Sequence, residues 1–177
     1  EAQTGGTRGI CAGGFLEPDT DSSNRINVFN ISTTGNATDF GDLTQKRYAL
    51  AGVSSRVRGL FAGGRTDPSP TARFNIIDEI TIASTGNATD YGDLDADQVS
   101  PTGFSNGTRG VFAGGYNPTY TNKIQYVTIA VKEDAIDFGD LTDARFGCGA
   151  VSNGTRGIIG GGQNPDGVID TINFVTI

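Results

Sequence analysis

Thr108-Arg109-Gly110-Val111-Phe112-Ala113-Gly114-Gly115 decides the fold, because the chain carries this phrase four times. The other copies are Thr7-Arg8-Gly9-Ile10-Cys11-Ala12-Gly13-Gly14, Val57-Arg58-Gly59-Leu60-Phe61-Ala62-Gly63-Gly64 and Thr155-Arg156-Gly157-Ile158-Ile159-Gly160-Gly161-Gly162. Their arginines stand 50, 51 and 47 residues apart, a period that belongs to solenoids, propellers and arrays. In such folds each unit fits against its neighbours, so repeated residues are first of all packing residues. Whatever is specific to function lies where the copies differ.

A second phrase keeps the same phase. It reads Asp39-Phe40-Gly41-Asp42-Leu43, Asp90-Tyr91-Gly92-Asp93-Leu94 and Asp137-Phe138-Gly139-Asp140-Leu141. Two copies follow Gly-Asn-Ala-Thr, at 35–38 and 86–89, while the third follows Glu133-Asp134-Ala135-Ile136. Beyond the leucine, Arg47, Gln98 and Arg145 hold matching offsets, and Ser54, Ser105 and Ser152 come after them. The result is a unit of about 50 residues, with approximate limits 1–46, 47–97, 98–144 and 145–177 in one repeat domain spanning 1–177.

Alternation in Ile80-Thr81-Ile82, Val127-Thr128-Ile129 and Val175-Thr176-Ile177 puts apolar side chains on one face of a strand. Asn106-Gly107 and Asn153-Gly154, with Gly5-Gly6 in the first copy, separate strand-like runs and predict tight hairpins built on positive φ angles. Ser55-Arg56 in the second copy predicts a different turn. In the second unit, strands are expected near 47–54, 57–63, 74–83 and 88–93. No amphipathic helical stretch of useful length occurs. The fold class is all-β.

Four strands per unit, Gly-Gly closing the second, and an aromatic three residues ahead of leucine resemble the kelch repeat. The kelch aromatic is typically tryptophan; Phe40, Tyr91 and Phe138 stand there instead, and the chain has no tryptophan. Arg47 and Arg145 match the arginine that opens the next kelch blade, and Gln98 departs from it. The resemblance implies a β-propeller, or part of one, made of four-stranded antiparallel blades. The wording from Gly35 to Thr44, followed by Arg-Gly-aliphatic-Phe-Ala-Gly-Gly, is also similar to the kelch-like repeats of tailed-phage structural proteins, marine ones especially. That likeness, and not composition, implies a structural protein of a virion, a tail fibre or another external surface. It implies host recognition or protein binding, with other assembly subunits, further copies of this chain or a host-surface glycan as partners.

Thr4 falls at the register of Ser54, and Ile177 at that of Ile82 and Ile129, so the first and last units are expected to be incomplete. Six or seven such blades need roughly 300–350 residues. The 177-residue chain therefore reads as an excerpt, or as one subunit of an assembly that completes the cut units between copies.

Composition narrows the function. Twenty acidic against thirteen basic residues give a net charge of −7, and the arginines are spread one per strand, against a nucleic-acid surface. No run of eighteen apolar residues predicts a membrane span. Histidine is absent, which removes Ser-His-Asp and Cys-His catalysis, His-ligated metals and a histidine base. Carboxylate chemistry needs only two acids, yet Asp42, Asp93 and Asp140 recur in every copy, and a catalytic pair should be singular. The reading is non-enzymatic, with no catalytic residue and no cofactor. The competing readings are a carbohydrate-active enzyme with a carboxylate pair and an intracellular kelch adaptor for protein partners.

The repeated aspartates are expected to serve turns, or to pair with the repeated Arg8, Arg58, Arg109 and Arg156. The alternative for those arginines is a channel lining that binds an anionic sugar. Asp19, Asp21 and Ser23, and later Asp93, Asp95 and Asp97, alternate as calcium ligands can, without the rest of a calcium loop. Cys11 and Cys148 read as buried thiols. The triplets at Asn30, Asn36, Asn87, Asn106 and Asn153 fit glycosylation acceptors, but four of them fall in turns of the repeat. The loops after each Gly-Gly, Phe15–Asn24, Arg65–Arg73, Tyr116–Asn122 and Gln163–Gly167, differ in length and are stiffened by Pro18, Pro68, Pro70, Pro118 and Pro165. Tyr116, Asn117 and Tyr120 are the expected binding residues, two aromatics and an amide suited to stacking on a sugar or anchoring a partner.

Overall fold

The structure, a computed structural model, describes residues 6–16, 21–66 and 72–177. Thr4, Gly5, Pro18, Asp19, Pro68 and Pro70, on which several readings above rest, lie outside the described residues. Among those described there is no helix, and none long and apolar enough to cross a membrane. The chain is all-β.

The first repeat gives β1 (Arg8–Ala12), β2 (Phe15–Leu16), β3 (Asp21–Ser22), β4 (Arg25–Asn30) and β5 (Thr38–Asp42). The second gives β6 (Ala51–Ser54), β7 (Arg58–Ala62), β8 (Ile76–Thr81) and β9 (Thr89–Asp93). The third gives β10 (Thr102–Ser105), β11 (Arg109–Ala113), β12 (Lys123–Thr128) and β13 (Ile136–Asp140). The fourth gives β14 (Gly149–Ser152), β15 (Arg156–Gly160), β16 (Gln163–Asn164), β17 (Gly167–Val168) and β18 (Ile172–Thr176). The main sheets are β1-β4-β5, β6-β7-β8-β9, β10-β11-β12-β13 and β14-β15-β18, while β2-β3 and β16-β17 are small ribbons. All pairings are antiparallel. The strands of the second unit lie inside the expected ranges, shortened where the chain leaves the ladder.

Three hydrophobic clusters lie between successive sheets. Ile26, Phe40 and Leu43 meet Phe61, Ile80 and Ala88; Leu60, Ile77, Tyr91 and Leu94 meet Phe112, Val127 and Ile129; Phe104, Val111, Ile124 and Leu141 meet Ile159. Neighbouring residues of one strand point to opposite faces, so Leu60 packs forward and Phe61 packs back. Both faces of the middle sheets are consequently covered, and Gly59–Ala62 and Gly110–Ala113 are buried without a break. In β15 burial alternates. Cys11 stands in the register of Phe61, Phe112 and Ile159, each of which packs onto the preceding sheet. No described sheet precedes the first, and Cys11 is exposed rather than buried, while Cys148 is partly covered; both are free thiols.

The hairpin turns correct one expectation. Asn106 Oδ1 accepts from the backbone N–H of Thr108 and Arg109 (3.0 and 2.8 Å), and Asn153 Oδ1 does the same for Thr155 and Arg156 (2.9 and 2.8 Å). Ser55 Oγ accepts from Val57 and Arg58 (3.2 and 3.1 Å), so the second copy uses the same capped turn. Only Gly107 has a positive φ there, +87°. The side-chain acceptor defines the turn, and Arg56 fits where Gly154 does.

Backbone links tie each unit to the next. The second glycine of each pair donates to the residue that opens the following unit: Gly14 to Arg47 O (3.0 Å), Gly64 to Gln98 O (2.7 Å), Gly115 to Arg145 O (2.8 Å). Ser105 Oγ donates to Ser54 O, and Ser152 Oγ to Ser105 O, both at 2.7 Å. The segment ahead of β9 covers the outer edge of β5, with Gly86 N–H to Phe40 O, Ala88 N–H to Asp42 O and Asp42 N–H to Asn87 Oδ1. Gly41 is required for this approach, since a Cβ there would lie 2.3 Å from Gly86 O.

The repeated arginines do not meet the Gly-Asp-Leu aspartates. Arg58 lies opposite Thr81 and Asp93 opposite Ile76, five residues apart on β8, or roughly 17 Å at strand rise. Arg8 and Arg58 instead reach into the next unit, donating to Ile82 O (2.7 Å) and Ile129 O (3.3 Å). Arg58 also pairs with Glu79 (3.2 Å). Where Glu79 is replaced in register by Tyr126 or Phe174, Arg109 and Arg156 lie over the ring, 4.9 and 4.8 Å from its centroid. Among the described residues the fully buried ion pair belongs to other groups, Arg47 and Asp78, at 2.9 Å.

Candidate functional site

At the Gly-Gly end of the sheets, opposite the capped turns, aromatic rings and guanidinium groups form one ridge across three unit junctions. It is built from the residue that follows each unit-opening Arg or Gln, which bridges to the first residue after Gly-Gly: Tyr48 to Arg65, Val99 to Tyr116, Phe146 to Gln163. The variable loop then turns back, so that Arg65 bridges Arg73 and Tyr116 bridges Tyr120.

At the first junction, the Phe15 and Tyr48 rings are 5.3 Å apart, and the Arg65 guanidinium lies 4.8 Å from the Tyr48 centroid, its Nε donating to the Tyr48 hydroxyl. At the second, Arg73 lies 5.4 Å from the Tyr116 ring and Nη1 reaches Asn117 Oδ1 at 3.4 Å. Tyr116 and Tyr120 meet edge to face at 5.5 Å, and Tyr120 continues to Phe146 of the fourth unit, also at 5.5 Å. Phe15 is exposed; Tyr48, Arg65, Arg73, Tyr116, Asn117, Tyr120 and Phe146 are half-buried. Rings packed against each other lose little freedom on binding and still offer part of their surface.

The structure therefore brings Tyr116, Asn117 and Tyr120 together, and adds Tyr48, Arg65, Arg73 and Phe146, which the sequence reading left out. Their signal was present: two of the three residues that follow Arg47, Gln98 and Arg145 are aromatic, and Arg65 and Tyr116 share a register. Linking them needed the order in which loops of one unit fold over the next.

The arginines on this ridge are held differently from the lysines. All three lysines meet carboxylates, Lys46 with Asp21 (2.6 Å), Lys132 with Glu79 (2.7 Å) and Lys123 with Asp95. Among the described residues Arg65 and Arg73 meet none. Asp95 is thus engaged by a lysine, and Asp93 uses its N–H on Asp134 Oδ1 (3.0 Å). Burial together with the charges of Asp134, Asp90 and Asp97 pushes the Asp93 carboxyl up from its ordinary range. No three acidic or cysteine residues gather as a metal site among the described residues.

Two recesses lie at the opposite end of the sheets. One of about 620 Å³ opens between the turns Ser55–Arg58 and Asn106–Gly107. A more apolar groove of about 330 Å³ runs between β1 and β6, past Phe29, Gly52 and Ile80. Neither converges a pair of carboxylates. The chain matches no protein-family model, and no curated protein matches it at a significant level.

Proposed function

We propose that this chain is a non-catalytic recognition module of an external assembly, with kelch-like sheets arranged as blades of a propeller or of part of one. The ridge from Phe15 to Phe146 is its binding surface, and a host-surface glycan is its ligand. In this reading the setting is a virion or tail fibre, with other assembly subunits as further partners. The described sheets do not close a ring, so the propeller belongs to this proposal and not to the observed fold.

One observation carries the reading: three aromatic rings, Tyr116, Tyr120 and Phe146, linked through Tyr120 at 5.5 Å and flanked by Arg73 on Tyr116, stay partly exposed on the scaffold instead of entering the core. Such faces stack on sugar rings, while Asn117 and Gln163 supply polar contacts. The test is a glycan binding screen with the wild type, Tyr116→Ala, Tyr120→Ala and the double variant. The double variant is expected to bind at least tenfold more weakly with its fold retained by circular dichroism. Unchanged affinity removes the ridge from the site, and release of sugar by the wild type overturns the non-enzymatic reading.

A further inference from the structure

Arg65 and Arg73 are cross-strand partners. Like charges placed directly opposite are destabilising in a sheet, and this chain, with seven more acidic than basic residues, has ample carboxylates to answer them. None does so among the described residues. The two guanidinium groups are instead held by neutral partners, the Tyr48 ring and hydroxyl for Arg65 and the Tyr116 ring and Asn117 for Arg73. Among the described residues each donates one guanidinium hydrogen bond out of the five that the group can make. Both are half-buried, so part of each side chain stays open to solvent.

We infer that the ridge takes an acidic glycan, one bearing carboxylate or sulfate groups, with Arg65 and Arg73 as the residues that read the anion; this rests on the glycan reading above. A fixed guanidinium presents paired N–H donors that match a carboxylate or sulfate oxygen pair. Arg65 and Arg73 lie over the Tyr48 and Tyr116 rings, and Phe15 and Tyr120 pack beside those rings, so an anion on either arginine places its sugar near a neighbouring aromatic side chain. The site is a ridge and not an enclosed cavity, and a guanidinium on a tyrosine ring occurs at two successive junctions. A polymer of repeating sugars suits it, where a small anion would meet only one junction at a time. An acidic peptide would satisfy the arginines as well, but it gives the stacked rings no matching planar face.

The test compares oligogalacturonate with the same oligosaccharide after reduction of its carboxylates to alcohols, and dextran sulfate with dextran, by titration calorimetry. The wild type is expected to prefer a charged form over its neutral counterpart by about tenfold or more, and the arm that shows the preference names the anion. Arg65→Gln with Arg73→Gln is expected to lower affinity for the charged polymer about tenfold more than for the neutral one, so that the preference is lost, and Tyr116→Ala is expected to weaken both. Equal affinity of the wild type for charged and neutral forms overturns the anion inference and leaves the glycan reading standing. Binding to polyglutamate with none to any glycan overturns both, as does a charge preference that survives in the double arginine variant for the anion-reading role of this pair.

Discussion

Arg47 and Arg145 occupy one register in two junctions and differ in what answers their charge. Arg47 Nη2 meets Asp78 at 2.9 Å and Phe61 O at 3.0 Å, and Asp78 also accepts from the Thr44 hydroxyl (2.6 Å). Burial pulls the Arg47 guanidinium down from its usual range, and Asp78 opposes the shift. Arg145 is equally enclosed, but Asn173 stands in the place of Asp78 and offers only an amide oxygen, at 2.6 Å. Asp78→Ala should cost about 3–5 kcal/mol by leaving a buried cation alone, measured by urea unfolding. Asn173→Asp should stabilise by roughly 1 kcal/mol, the difference between a neutral and a charge-assisted hydrogen bond. Tyr91 gives a pH-dependent counterpart. Its hydroxyl lies between Thr128 O (2.7 Å) and Val131 O, which share its one proton, and burial pushes its pKa up to about 12. Between pH 10 and 12 the unfolded chain therefore releases a proton that the folded chain keeps, and stability falls as pH rises through that window. Tyr91→Phe should be less stable by about 1 kcal/mol at neutral pH and should show a shallower decline above pH 10 in the same denaturation series.

Between elements, the fit of one sheet to the next depends on a side chain in one and its absence in the other. Phe104 on β10 lies over Gly157 on β15, where a Cβ would come 2.1 Å from the ring, and Val53 on β6 lies over Gly110 in the same way. Gly157→Ala should cost about 1–3 kcal/mol by overpacking. Combined with Phe104→Leu it should cost less than the two single changes added together, since contacting residues couple; thermal denaturation of the cycle measures this. The all-β class and the strands of the second unit were legible in the sequence because β-branched alternation and the paired glycines act locally. The turn at Ser55 was not legible from dipeptide identity, because the serine side-chain acceptor and not a positive φ defines it. The arginine–aspartate pairing was misread because shared recurrence says nothing about which end of a strand each residue occupies. Of the ridge, only the tyrosines and asparagine of one loop were legible; Tyr48 and Phe146 come from the segments ahead of the first strands of their units, and Arg73 from the far side of a variable loop.

At the scale of the whole molecule, stability is distributed by position in the row. The second and third sheets are covered on both faces, whereas Val151, the counterpart of Val53 (3% exposed) and Phe104 (1%), is 51% exposed on the fourth. Where units contribute separately and through nearest-neighbour contacts, opening should be easiest at the ends. Hydrogen exchange should therefore be slowest in β7 and β11 and faster in β1 and β15; uniform protection across the four sheets would contradict this account. The serine links have a consequence for descent. Each hydroxyl donates to the unit before it, from Ser152 to Ser105 to Ser54, so these two junctions are head to tail and share one link. A gene segment copied or lost in steps of one whole repeat brings its own donor, its own acceptor and its own glycine recess, and the neighbours it meets already hold their complements. The protein's length can thus change by unequal exchange between repeats without a new interface having to arise.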